Sequence, residues 1–436
     1  MKDKIIKFLT GKKILILGFG REGKSAYKFI KENNVKYSSL GIADKNEITI
    51  NENIKLHTGE DYLNSTKEYD LVIKSPGIII KDYIDDIEKE KITSLTDIFL
   101  RFCENKIVGI TGTKGKSTTS SLIYHILKDN NYDALLIGNI GVPCFDVIDK
   151  INKDTILVYE LSCHQLEYVK ASPNISVLLN IYEEHLDHYN GIESYVQCKK
   201  NIYKYQNNDD YLIYGDIWKY ITKEEIESVK SNKICIDDNP LNIDYSKIET
   251  SLIGDHNKKN IITSIIVTNI LGVNVNEALR SVKSFKGLEH RLEYVGEYNN
   301  IKFYNDSIAT AQEAVINAVK SLKNVDTIIL GGMDRGIDYT LLVKFLSTSS
   351  VENIILLPNT NIRIQNLFRN YTTNKHILSV NNMEEAVKMS YEVTKDNKIC
   401  LLSPAAASYG FYLNFEKRGE HFKQLVRDYG NNNGKK

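Results

Sequence analysis

Proline is scarce in this chain, six among 436 residues, and tryptophan occurs once. Proline-rich linkers therefore cannot mark domain boundaries, and no low-complexity segment or fixed-period repeat takes their place. The six cysteines, at 103, 144, 163, 198, 235 and 400, form no C-x-x-C pair. That spacing gives neither a zinc ribbon nor a disulfide framework, so the thiols read as buried and free in a reducing compartment. No apolar run approaches the roughly 20 residues of a membrane span. The short apolar run before the first glycine loop is also too brief for a secretory h-region. The expected location is the cytoplasm, away from membranes. Excess charge is missing as well: Lys+Arg and Asp+Glu both total 56. That balance gives no support to nucleic-acid binding.

What is present is ordinary globular composition, 42% apolar and 26% charged, on a chain too long for one core. One unit recurs: a short apolar strand, then glycines, then a helical pattern. It appears as "KILILGFGREGKS" (13–25), "KIVGITGTKGKSTT" (106–119) and "VDTIILGGMDRG" (325–336). Each opens a βα unit of a parallel sheet. The expected fold is α/β with three domains, over residues 1–100, 101–287 and 288–436. "ISVLLNIYEEH" (175–185) reads as one buried strand ending at His185. "LEYVGEYNNIKFYND" reads as two strands around the turn "NN".

The first glycine loop places Gly18, Gly20 and Gly23 in G-x-G-x-x-G after a strand, with Asp44 ending the next strand. Taken alone, that pattern fits NAD, any other nucleotide, or a tight turn with nothing bound. The second loop, "GTKGKST", has strand before and helix after, the context of a phosphate loop. Its spacing is shorter than the usual G-x-x-x-x-G-K-[ST]. Lys116 would reach the terminal phosphates and Ser117 would ligate Mg²⁺. Glu160, at a strand end, is a candidate carboxylate ligand. Lys199, beside Lys200, reads from its neighbours as a solvated surface charge.

The motifs "GTKGKST", "GNIG", "ELSCHQLE", "EEHLDHY", "YVQCKKNIY", "GDHNKKN", "HR", "YNDSIAT", "LGGMDRG" and "SPAAAS…NFEKRG" occur in this order along the chain. In that order they resemble the Mur ligases, the ATP-dependent amide ligases of peptidoglycan synthesis, and within them the glutamate-adding members. The family's phosphate loop has the shorter spacing seen here. The resemblance implies a Rossmann-like N-terminal domain holding a UDP-sugar and not NAD, with Asp44, Ser75, Pro76, Gly77 and Asn139 lining that site. It implies a central P-loop ATPase-type domain and a Rossmann-like C-terminal domain for the amino acid. ATP would lie on Gly112, Thr113, Lys114, Gly115, Lys116, Ser117 and Thr118, gripped by Asn257, Asn260, Arg291 and Asp306. Ser117, Glu160, His185 and a carbamylated Lys199 would hold Mg²⁺, two ions in all. Thr310, Arg335, Ser408 and Phe415 would bind the acceptor.

The implied substrates are UDP-N-acetylmuramoyl-L-alanine and D-glutamate, joined by a monomeric enzyme through an acyl phosphate. L-glutamate as acceptor, or an amide ligase outside peptidoglycan synthesis, are the alternatives. Four departures from the family pattern stand out. Lys114 replaces a common Asn, and Arg21 and Glu22 put charges where uncharged residues are frequent. Ile308 replaces a lysine, and Gly410 replaces an acidic residue, both in the acceptor region.

Overall fold

The computed structural model describes residues 1–433 apart from 51–53, 81–88, 140–141, 185–187, 190 and 253. Three sheets follow one another along the chain. The first contains β1 (Lys13–Leu17), β2 (Ser39–Asp44), β3 (Lys55–Thr58), β4 (Leu71–Lys74) and β5 (Ile92–Thr93), in the order β3-β2-β1-β4-β5. The second contains β6 (Ile107–Thr111), β7 (Ala134–Gly138), β8 (Ile156–Glu160), β9 (Ile175–Asn180), β10 (Tyr211–Asp216) and β11 (Asn232–Cys235), in the order β11-β10-β9-β6-β8-β7. Every described pairing in these two sheets is parallel. Strands buried on both faces explain the near-continuous apolar runs, such as "KILIL" and "ISVLL".

The third sheet contains β12 (Glu293–Tyr298), β13 (Ile301–Asn305), β14 (Val325–Gly332), β15 (Asn353–Asn359), β16 (His376–Ser379) and β17 (Ile399–Leu402). Its order is β12-β13-β17-β14-β15-β16, so the last strand made sits in the middle. β12 and β13 are its antiparallel pair. The "NN" turn between them is Asn299 and Asn300, both left-handed at φ 51° and 59°, as a two-residue hairpin turn demands.

Six helices matter for the site: α1 (Arg21–Glu32), α2 (Lys116–Asp129), α3 (Cys163–Leu166), α4 (Ile192–Lys200), α5 (Asp255–Ile270) and α6 (Phe415–Asn433). The helix after the second loop buries Leu122, Ile123, Ile126 and Leu127 completely, the spacing its sequence shows. The chain divides into two compact units. One is Met1–Thr250 with Asp255–Phe285; the other is Ser251–Gly254 with Lys286–Lys436. Within the first unit, the first and second sheets share a continuous apolar core, in which Phe29 packs on Phe145 with ring centroids 4.8 Å apart.

Candidate nucleotide and substrate site

The second glycine loop is the turn from β6 into α2. Gly115 caps α2 at φ 88°, a conformation that disfavours a side chain, and an added Cβ would lie 2.5 Å from Asn260 Oδ1. The loop is braced from β9. Lys114 N–H donates to Asn180 Oδ1 at 2.9 Å, and Asn180 Nδ2 returns a bond to the Lys114 carbonyl at 3.0 Å. Thr113 Oγ1 accepts from the Tyr182 N–H at 2.9 Å and meets the Tyr195 hydroxyl at 3.0 Å. β9 thus ends at Asn180, five residues short of the expected end at His185. The reason is local: the Asn180 side chain pairs with loop backbone as another strand would. His185 itself lies outside the described residues.

Lys116 curls over the loop, its ammonium donating to the carbonyls of Gly112 at 2.8 Å and Thr113 at 3.0 Å. Burial lowers its pKa, and Glu160 partly opposes that shift. Glu160 is fully buried. Its Oε1 accepts from Ser117 Oγ at 3.2 Å and from Asn139 Nδ2 at 2.8 Å. Its Oε2 accepts from Ser120 Oγ at 3.4 Å. Thr118 is buried one residue further along α2. Asn257 and Asn260, on α5, are both buried and bonded to each other at 2.9 Å.

Lys199 corrects the reading drawn from its neighbours. It is 1% exposed, not solvated, and its ammonium lies 4.7 Å from the centroid of the Tyr195 ring. Burial first, and the Lys116 charge second, bring its pKa down to about 7. Lys200, one position on, turns the other way and pairs with Glu225. A run of two lysines carries no sign of which one points inward.

For magnesium, the Ser117 hydroxyl and the Glu160 carboxylate are oxygen donors already in contact, as a hard cation requires. Among the described residues no cluster of three or more His, Cys, Asp or Glu could hold a metal by itself. The donor set therefore fits an ion that takes its remaining ligands from phosphate and water.

At the first glycine loop, Ser75 Oγ donates to the Gly18 carbonyl at 2.8 Å, and Ser75 begins the turn that carries Pro76 and Gly77. Asp44 Oδ2 accepts from Phe19 N–H at 2.7 Å. Asp44 and Ser75 therefore both fasten the loop itself. Gly23 sits so close to the Gly18 carbonyl oxygen, 2.0 Å from a Cβ, that no other residue fits without movement. Lys74, nearly fully buried, donates to Glu167 at 2.9 Å and to the Pro76 carbonyl at 3.2 Å.

In the second unit, three separated motifs are stitched into one surface. Asp306 is 5% exposed and accepts from Ser403 Oγ at 2.8 Å and from Leu292 N–H at 3.2 Å. Burial, the largest cause, raises its pKa from 3.8 to about 7. Ile308 N–H donates to the His290 carbonyl at 3.1 Å. Arg418, 1% exposed, donates to Ser307 Oγ at 3.0 Å, to the Ser307 carbonyl at 2.8 Å and to the Ala406 carbonyl at 3.0 Å. Ser307 Oγ in turn donates to the Phe415 carbonyl at 2.8 Å. Arg291, Thr310 and Arg335 are exposed, and Arg335 lies over the Tyr409 ring at 6.0 Å. Ser408 is buried. Sequence reasoning did not single out Asn180, Tyr195 or Arg418. A polar residue closing an apolar strand was the available signal for Asn180.

These features define an α/β protein of mainly parallel sheets with a half-buried lysine on a glycine-rich loop and a second lysine, Lys199, buried. Residues 110–268 match the Mur ligase middle domain, and residues 290–406 match the Mur ligase glutamate ligase domain. The chain belongs to the Mur ligase family. It is 32% identical to the UDP-N-acetylmuramoylalanine--D-glutamate ligase of Clostridium kluyveri, covering 98% of this chain and 99% of that one. The enzyme of the same name from Clostridium botulinum (strain Loch Maree) is also 32% identical, over 97% and 98% of the two chains. Among solved structures, MurF ligase from Thermotoga maritima in complex with ADP aligns with a TM-score of 0.56. The two are 16% identical over 98% of this chain and 100% of that one, a likeness of fold alone.

Proposed function

We propose that this chain is an ATP-dependent, ADP-forming amide ligase that joins D-glutamate to UDP-N-acetylmuramoyl-L-alanine in peptidoglycan precursor synthesis. The likeness to D-glutamate ligases over nearly the whole chain carries this reading. The site chemistry supports it. A carboxylate does not accept an amine at neutral pH without activation. Transfer of the γ-phosphoryl group of ATP to the alanyl carboxylate makes an acyl phosphate. The glutamate amine then attacks the acyl carbon, and phosphate leaves. The first step brings two anions together, so the surroundings must be cationic and fixed.

Lys116, already held over the loop, is the side chain suited to the transferring phosphate. A polyphosphate beside it restores the charge that burial disfavours. Ser117 and Glu160 would hold Mg²⁺, which when bound neutralises phosphate charge. Asn139 ties the sugar side of the site to Glu160. Lys199 has the property a carbamate precursor needs, an amine whose pKa is lowered to about 7 so that a large share of it is unprotonated near neutral pH, to which CO₂ adds with loss of one proton. We assign the sugar nucleotide to residues 1–100, ATP to 101–287 and the amino acid to 288–436. Asp44 and Ser75–Gly77 would face the nucleotide sugar, and Asn257, Asn260, Arg291 and Asp306 the ATP. In the acceptor region Arg335 can take one carboxylate bidentately, with Ser408 and Thr310 for the other and Phe415 on the apolar side. Ile308 removes a cation from that set. No helix among the described residues is long and apolar enough to cross a membrane, and we place the reaction in the cytoplasm.

The test is ADP release with UDP-N-acetylmuramoyl-L-alanine and a panel of D-Glu, L-Glu, L-Asp, L-Lys and L-Ala. D-glutamate should be the best acceptor. If L-glutamate wins, the pocket stands and its stereochemistry is reversed. A neutral or basic acceptor would remove the pocket assignment.

A further inference from the structure

The two residues that flank Arg291 have left-handed backbones although neither is glycine: His290 at φ 62° and Leu292 at φ 44°. A leucine there is strained, and such backbones persist where the surroundings hold them. Each backbone N–H of this turn has an acceptor. His290 N–H donates to Glu293 Oε2 at 2.8 Å, Arg291 N–H to the Leu288 carbonyl at 3.3 Å, and Leu292 N–H to Asp306 Oδ1 at 3.2 Å. Of the three residues only Arg291 is exposed. The turn therefore spends its strain on displaying one guanidinium.

One side chain gathers the bonds that hold it. Glu293 opens β12 and lies directly opposite Asn305, the last residue of β13. Its Oε2 accepts from Asn305 Nδ2 at 2.9 Å as well as from His290 N–H. Its Oε1 accepts from the Lys423 ammonium, on α6, at 2.8 Å. The two side chains of this pair are only 16% and 11% exposed, so removing one partner strands the other. Asn305 Nδ2 also donates to His290 Nδ1 at 2.9 Å, which leaves that ring nitrogen without a proton. Helix α6 can come this close because residue 419 is glycine: a Cβ there would lie 2.2 Å from His290 Nδ1. Among the described residues no hydrogen bond joins the Glu293 carboxylate to the Arg291 guanidinium. Its hold on that arginine runs through the backbone of the turn.

We propose that Glu293 is a positioning residue for Arg291: by fixing the left-handed turn His290–Leu292 it sets the direction in which that guanidinium meets ATP. This rests on the ATP assignment of Arg291 made above. The experiment is calorimetric titration of the full chain with MgATP, with steady-state ADP release alongside. The variants are Glu293→Ala, Glu293→Gln, Arg291→Ala and the double variant Glu293→Ala/Arg291→Ala. Glu293→Ala should weaken MgATP binding and raise the KM for ATP about tenfold, the scale of one lost bond to a charged group. Its kcat at saturating ATP should stay within about twofold of the parent, as when ground-state binding alone is lost. The KM for UDP-N-acetylmuramoyl-L-alanine should not move. In the Arg291→Ala background Glu293→Ala should weaken ATP no further, because two residues that act as one unit are not additive. Glu293→Gln turns an NH₂ group toward the Lys423 ammonium, and adding Lys423→Met should bring ATP affinity back. Should Glu293→Ala not fold, Glu293→Gln with and without Arg291→Ala makes the same cycle. Full additivity with Arg291→Ala would overturn the inference, because Glu293 would then serve the fold and not the arginine. So would parental ATP affinity in the folded Glu293 variants. If Arg291→Ala bound MgATP as the parent does, the ATP assignment of Arg291 itself would be wrong.

Discussion

Burial and a second ammonium group hold the Lys199 amine near neutrality, and that sets how the protein should respond to CO₂. Stripping CO₂ from the assay should slow ADP release, and bicarbonate should restore it. Lys199→Ala should lose at least about 10²-fold in turnover, the scale of removing one fixed electrostatic group, with no recovery on adding bicarbonate. Full activity in that variant would reject the carbamate. Lys116→Ala should cost a similar factor under saturating substrates. Lys114→Asn should change little, because Lys114 is exposed and its ammonium pairs with Glu184 at 2.6 Å. Asp306 makes a prediction about pH. Its folded pKa, about 7, lies above the ordinary 3.8, so the folded state binds the proton more tightly. The stabilisation this brings is complete below about pH 3.8 and is lost as pH rises through about 7. Denaturant midpoints of the second unit should therefore decline across that window, and Asp306→Asn should flatten the decline. An unchanged slope in the variant would place the proton elsewhere.

At the scale of elements, the second glycine loop is a turn braced by Asn180 at the end of β9 and by Tyr195 on α4, with Asn260 on α5 filling the space beside Gly115. Gly115→Ala attacks all of this at once, through a left-handed backbone and a Cβ that meets Asn260. ATP affinity should fall by at least about tenfold, with circular dichroism unchanged, since the strain is local. Wild-type affinity would mean the loop tolerates a different backbone. Much of this element was legible from residue types, because glycines, the strand before them and the helix after them each have a local cause. The β12–β13 hairpin was legible for the same reason, through Asn299 and Asn300. The length of β9 was not, since its apolar pattern continues past Asn180 through Ile181 and Tyr182 while its hydrogen bonding is taken over by a side chain. Nor was the burial of Lys199, which depends on the packing of α4 and leaves no trace in the spacing "CKK". Family resemblance, not residue pattern, pointed to that lysine.

For the whole molecule, three sheets fall into two compact units, because the first two share their apolar core. Besides the Phe29–Phe145 packing, Ser25 Oγ donates to Asp146 at 2.6 Å across that junction. Phe145→Ala should therefore destabilise residues of both sheets together, by about 3–5 kcal/mol, and leave the second unit's unfolding in place. Hydrogen exchange read separately on β1, β6 and β14 would check this; protection lost in the first sheet alone would contradict it. The third sheet builds differently. Its central strand, β17, is the last to be synthesised, and it pairs with both β13 and β14. A nascent or truncated chain that stops before Ile399 holds two half-sheets whose inner edges, β13 and β14, are left without their partner. Unpaired edges of apolar strands are where chains associate wrongly. Premature termination just before Ile399 should thus yield insoluble protein, not a shortened ligase.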